Sequence, residues 1–213
     1  MRINAGLIIG KSQLKSNGRQ GTIKAMVISL LGSSGVKCQV ADFGLVIDPP
    51  AKKKGNLTLF TEMVFAQGDI IPEESVINGP GEYEIEGIKV RGVNLSREGT
   101  KSEGKTAYAI LFDNIRLAVI GAIANKVDDT EIDALGEIDI LFINSEGSTL
   151  GIKDIASLVK KIDPSFVIPM SEKGAKRLLE EFGQKVSAQE KFTIKAKDFN
   201  KETSGIQIVW LQE

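Results

Sequence analysis

Gly79-Pro80-Gly81-Glu82-Tyr83-Glu84 interrupts a series of short apolar runs, and what flanks it decides the fold. Two glycines around a proline set a tight turn. The segment is not a phosphate loop, since it has neither the Gly-Lys-Ser/Thr ending nor a following helical pattern. Glu82 and Tyr83 carry groups able to bond back to the backbone of their own loop, so its expected role is structural. Immediately downstream, Tyr83–Glu86 and Ile88–Asn94 have strand character, with Glu86-Gly87 as the bend between them. Upstream, Val76–Asn78 follows a break at Ile71-Pro72.

Further upstream, Met26–Leu31, Lys37–Asp42, Leu45–Asp48 and Leu57–Thr61 are apolar or alternating runs. Gly32-Ser33-Ser34-Gly35 and Asp42-Phe43-Gly44 are turn signals that make the first three antiparallel neighbours. Downstream, Thr106–Phe112 and Ile115–Ile120 flank Asp113-Asn114, a two-residue hairpin turn. Beyond it the pattern alternates. Asp128–Leu135 predicts a short helix, Ile138–Ile143 a buried strand, and Ile152–Ile162 a helix with one apolar face. Asp163-Pro164 ends that helix, because proline restricts the residue before it. Phe166–Met170 predicts a strand, Ala175–Phe182 a helix stopped by Gly183, and Phe192–Lys195 and Ile206–Leu211 the closing strands. Strands first and strand–helix units second imply two packed sheets with helices outside.

The chain has 213 residues, 42% hydrophobic and 26% charged, with a formal net charge of −1. That is the composition of a globular domain with no global pull toward nucleic acid or membrane. No apolar run approaches the ~20 residues that span a bilayer, so no membrane association is expected. Residues 1–25 hold five basic and no acidic residues, and Leu7-Ile8-Ile9 is too short for the apolar core of a signal peptide. They predict a basic N-terminal extension (1–25) to a body at 26–213. One cysteine, Cys38, forms no intrachain disulfide and fits a cytoplasmic setting as a small core residue. There is no histidine at all. That removes Ser-His-Asp and Cys-His nucleophiles and every zinc site that depends on imidazole.

Several segments, taken in order, resemble the metallo-β-lactamase superfamily, and within it the L-ascorbate-6-phosphate lactonase-like group of zinc-dependent hydrolases. They are Ile28 to Gly35, Leu45-Val46-Ile47-Asp48-Pro49, Gly79 to Glu84 with Gly87-Ile88 and Gly92-Val93, Leu135 to Ile143, and Ile162-Asp163-Pro164 through Met170. The resemblance implies an α+β fold, a four-layer αββα sandwich. It also implies a metal centre at fixed positions. Ser33 stands where an early histidine follows glycine. The His-x-His-x-Asp-His loop falls on Glu62, Val64, Ala66 and Gln67. The metal-bridging Asp of a Gly-Asp turn corresponds to Ala122, and the histidine after Pro-Met to Ser171. The intermediate histidine has no counterpart in Asn94–Gly104.

A dizinc centre needs several imidazoles and carboxylates at about 2 Å to acidify a bound water. Val64 and Ala66 offer no donor, so the expectation is a vestigial cleft with no metal and no cofactor. A non-catalytic binding or assembly module follows, with a protein or small-molecule partner and homo-oligomerisation left open. The alternative is a hydrolase whose oxygen-preferring metal is held by Asp48, Glu62, Glu82 and Glu84. Nucleic-acid binding through the basic arm is the weakest reading, since no basic stripe interleaved with aromatics accompanies it.

Ser-x-x-Lys occurs at Ser12–Lys15, Ser102–Lys105 and Ser157–Lys160, too often to specify a nucleophile. Asp128, Asp129, Glu131 and Asp133 lack calcium-loop spacing and suit a helix start. Gly99–Gly104, flanked by Arg97 and Lys105, is expected to be a polar connector between strands.

Overall fold

The computed structural model describes residues 24–50, 55–64, 75–98, 103–199 and 205–213; the expected extension, up to residue 23, lies outside them. Among the described residues fourteen strands and three α-helices follow one another. The first half contains β1 (Met26–Leu31), β2 (Gly35–Val40), β3 (Phe43–Ile47), β4 (Leu57–Phe60), β5 (Glu62–Val64), β6 (Val76–Asn78), β7 (Gly81–Ile85) and β8 (Ile88–Asn94). Next come β9 (Glu103–Phe112), β10 (Ile115–Ile120), α1 (Asp129–Leu135), β11 (Ile140–Ile143) and α2 (Ile152–Ile162). The chain closes with β12 (Phe166–Pro169), α3 (Glu172–Phe182), β13 (Phe192–Ile194), a 3-10 turn (Ala196–Asp198) and β14 (Gln207–Ile208).

One sheet has six strands in the order β13-β1-β2-β3-β4-β6. The other has eight, ordered β14-β12-β11-β10-β9-β8-β7, with β5 added to β9. As expected, β1, β2 and β3 are antiparallel neighbours. By contrast β4 lies parallel to β3, and β10, β11 and β12 run parallel to one another.

The period-2 alternation of strands divides the core into two layers. Met26, Ile28 and Leu30 of β1 face Leu117 and Val119 of β10 and Ile140 and Phe142 of β11 between the sheets. Ala118, Ile120, Leu141 and Ile143 point the other way, under Leu135 of α1, Ile155 and Val159 of α2 and Leu178 of α3. Being covered on both faces is why β11 is continuously apolar and β10 is so from Leu117 onward. β1 is covered on one face only. There Val27, Ser29 and Leu31 are only half-buried, because the helices among the described residues lie on the eight-stranded sheet. This is the mixed α+β, two-sheet sandwich expected, with helix, sheet and sheet layers among the described residues.

Local chemistry accounts for the element ends. Asp113 and Asn114 take φ of 51° and 62°, the left-handed pair of a tight hairpin. Asp163, also left-handed, closes α2 before Pro164. Several boundaries differ from the expected ones: β2, β3 and β7 each begin two residues earlier, β9 begins at Glu103 rather than Thr106, and the closing strand expected over Ile206–Leu211 is confined to Gln207–Ile208. α3 begins at Glu172 because Ser171 caps it, its Oγ accepting the Gly174 N–H at 3.1 Å. β11 begins at Ile140, two residues later than expected; just before it the Asp139 carboxylate accepts the Arg116 N–H at 2.8 Å and forks with the Arg116 guanidinium. Cys38 is fully buried, and burial pushes its thiol pKa up. Among the described residues no helix is long and apolar enough to cross a membrane.

Candidate functional site

The parallel pairs bring five chain turns to one end of the sandwich: Asp48 after β3, Thr61 after β4, Gly121-Ala122 after β10, Asn144 to Gly147 after β11 and Ser171 after β12. Thr61 joins the sheets there. Its N–H and hydroxyl donate to Asp48 Oδ1 and Oδ2 at 2.7 and 2.6 Å. Its carbonyl accepts the Thr106 N–H at 2.8 Å. Gly121 presses against the same residue, so that a Cβ on it would stand 2.2 Å from Thr61 Oγ1.

The Gly79–Glu84 segment supports this end from behind. The buried Tyr108 hydroxyl accepts the Gly79 N–H at 2.8 Å and donates to Phe60 O at 2.9 Å, tying the loop to the end of β4. Burial pushes the Tyr108 phenol up to about 12, against the stabilising Gly79 N–H. Tyr83 bonds back to its loop as expected, through Gly79 O and Pro80 O at 3.2 and 3.1 Å. Glu82 does not. It pairs with Arg91 on the adjacent strand at 3.2 Å, since alternation along β7 sends it to the opposite face from Tyr83. Glu84 is likewise exposed on that face.

Contacts run along the strand ends between the sequence-predicted positions. Exposed Glu62 is the cross-strand partner of Lys105 in β9. Lys105 Nζ donates to the Ala122 carbonyl at 2.7 Å. A Cβ on Gly147 would lie 3.0 Å from Ala122 Cβ, and the neighbouring Ser171 hydroxyl and Lys173 ammonium hold the Glu146 carboxyl below the usual range. Ser33 lies exposed in the β1–β2 turn, where Gly32 packs on Pro50 just beyond Asp48. Val64 ends β5 by its backbone, so the expected loop is a strand as far as residue 64. Ala66 and Gln67 lie outside the described residues.

Other candidates resolve into structure. The Ser157 hydroxyl donates to Lys153 O, and Lys160 sits over the Phe182 ring, so the two are not paired. Asp128 pairs with Arg97 and Asp129 with Lys161 at the start of α1. Lys105 and Gly104 are not part of a connector, because β9 extends back to Glu103.

A model of the beta-lactamase superfamily domain matches residues 4–171 of the sequence. The chain belongs to the metallo-β-lactamase superfamily. Solved structures agree on the fold. A Thermotoga maritima protein assigned as a Zn-dependent hydrolase of this superfamily is 16% identical, with TM-score 0.65, covering 88% of this chain and 100% of that one. A metallo hydrolase from the hyperthermophilic archaeon Ignicoccus hospitalis is 13% identical with TM-score 0.52, covering 80% and 98% of the two chains. A metallo-β-lactamase fold protein from Bacillus subtilis is 10% identical with TM-score 0.53, covering 81% and 99%. No curated protein matches the sequence.

The described residues assemble no ligand set for the zinc ions usual in this superfamily. The chain has no imidazole, and among the described residues no three carboxylate or thiol side chains gather as ligands. Nor do Asp48, Glu62, Glu82 and Glu84 converge, as Glu82 and Glu84 project from the outer face of β7. Sequence reasoning missed Thr61, Glu98 and Lys105 at this end. The one available signal was the alternation of β9, which continues through Lys105 although polar residues obscure it.

Asp48 carries a testable signature. Burial pushes its carboxyl pKa up, opposed by both Thr61 hydrogen bonds and reinforced by the charge of Glu62. The folded chain therefore holds this proton more tightly than the unfolded chain. Its contribution to stability is complete below the unfolded value of about 3.9 and is lost as pH rises through the elevated folded value. Asn is neutral throughout and tolerates the φ of 43° at this position. Thermal midpoints of Asp48→Asn and wild type, followed from acid to neutral pH, should diverge in the variant's favour as pH rises. Parallel curves would contradict the assignment.

Proposed function

We propose that this chain is a non-catalytic member of the superfamily, a pseudo-hydrolase that keeps the scaffold as a binding or assembly module. The branch it resembles is the L-ascorbate-6-phosphate lactonase-like one. The observation that carries the reading is how the carboxylates at the strand ends are used. Asp48 is spent on Thr61, and Glu98, with 4% of its side chain exposed, on backbone amides and Lys105. With Ala122 and Ser171 at ligand positions, the vestigial cleft comprises Ser33, Glu62, Val64, Ala66, Gln67, Ala122 and Ser171. Residues 26–213 form the body, with 1–25 as an extension to it. A cytoplasmic setting is in keeping with one buried thiol. The partner is a protein, a second copy of the chain or a small molecule.

Metal analysis of protein purified without chelator is expected to find no stoichiometric zinc. Phosphodiester, lactone and β-lactam substrates are expected to show no turnover that chelator abolishes. Stoichiometric metal, or chelator-sensitive hydrolysis lost in Glu62→Ala, would overturn this reading in favour of a carboxylate-held metal.

A further inference from the structure

Glu98 and Lys105 form a connection that the fold alone does not require. Glu98 lies in the turn after β8, within the Asn94–Gly104 stretch where the superfamily resemblance calls for a histidine ligand. Its carboxylate accepts the Ala124 N–H at 2.9 Å and the Asn125 N–H at 2.5 Å. The Lys105 ammonium stands 3.6 Å from Glu98 Oε2 and donates to the carbonyl of Ala122, the bridging-Asp position. Asn125 closes the ring by donating its side-chain N–H to Arg97 O at 3.0 Å. The pair is shielded, with side-chain exposures of 4% for Glu98 and 21% for Lys105.

A carboxylate this buried needs compensation, and two amide donors with one ammonium supply it. The two segments so joined, 97–98 and 122–125, are ones that metal ligands would hold together in a zinc-bearing relative. We propose that the Glu98–Lys105 pair is a metal-independent clamp, with the Lys105 ammonium providing the cation that cross-links the two loops of the vestigial cleft. This rests on the reading of the cleft as metal-free.

The test uses the full chain, Lys105→Met (which keeps the length without the charge), Glu98→Gln (which keeps the shape without the charge) and the double variant. Hydrogen exchange is read at the Ala124 and Asn125 amides, with the β11 amides as an internal reference. Each single variant is expected to speed exchange at residues 124 and 125 at least tenfold more than in β11. The double variant is expected to exchange more slowly than the product of the two single effects, because each single change leaves the other charge uncompensated. Wild-type exchange in the singles, or strictly multiplicative effects, would overturn the clamp. If Lys105→Met does not fold, Glu98→Gln against wild type decides the outcome alone. Wild-type exchange is also measured with excess chelator. Faster exchange there overturns the metal-free reading itself, whereas failure of the variants with chelator-insensitive wild type overturns only the clamp.

Discussion

Gly121→Ala is expected to lower stability by about 3 kcal/mol or more, the upper range for forced overpacking. The added Cβ would lie 2.2 Å from Thr61 Oγ1 and 2.8 Å from Thr61 Cβ. Thr61 has little freedom to retreat. Its side chain is stiff at χ1, its hydroxyl and N–H are held by Asp48, and its carbonyl is bonded to Thr106. Relief therefore requires the two sheets to separate at the cleft end, which breaks those bonds. For a chain of this size the thermal midpoint should fall by roughly 6–12 °C. Removing the obstruction provides the control: the penalty of Gly121→Ala should shrink sharply in a Thr61→Gly background. An equal penalty in both backgrounds would mean that the contact is not the cause.

Glu131→Ala should have the next largest effect, about 1–3 kcal/mol, because three donors on Ser96 and Asp128 lose a charged acceptor whose own side chain is buried. Glu131 Oε1 accepts the Ser96 N–H and hydroxyl, both at 2.8 Å, and Oε2 accepts the Asp128 N–H at 2.9 Å. The side chain thus starts α1 and pins it to the turn after β8. Burial works to raise the carboxyl pKa, but these three hydrogen bonds and the Arg97 charge outweigh it and hold it low. The sign follows from linkage. A folded value below the unfolded one gives stability that is present above the unfolded pKa and lost as pH falls through the folded pKa. Denaturant midpoints should show the gap between wild type and Glu131→Ala closing in acid. A gap independent of pH would leave only an uncharged packing role.

Much of the fold was legible because strand alternation and turn chemistry are local. Val76–Asn78, Ile88–Asn94, Ile115–Ile120 and Ile152–Ile162 begin and end where sequence reading placed them. Asp113-Asn114 and Gly183 act through the left-handed backbone their residue types tolerate. Boundaries moved where a distant segment supplied the pairing, as β9 reaches back to Glu103 by pairing with β5. Asp139 is claimed by Arg116 across the sheet, and Lys105 by the Ala122 carbonyl, and neither partner is visible within a local window. The β5 strand was missed for the same reason, since three residues become a strand only against β9.

The site divides along the same line. By itself, the sequence determined which chemistry is missing, because a chain without histidine cannot supply imidazole whatever its fold. It also determined where most of the strands lie along the chain, since apolar alternation and glycine turns act over a few residues. Only the tertiary structure decided what the remaining charged groups do. Glu82 went to Arg91 on the outer face, Asp48 to Thr61 and Glu98 to two amides and Lys105. The physical reason is that a buried carboxylate is compensated by whichever donors three-dimensional packing brings within about 3 Å, and sequence spacing does not encode that distance.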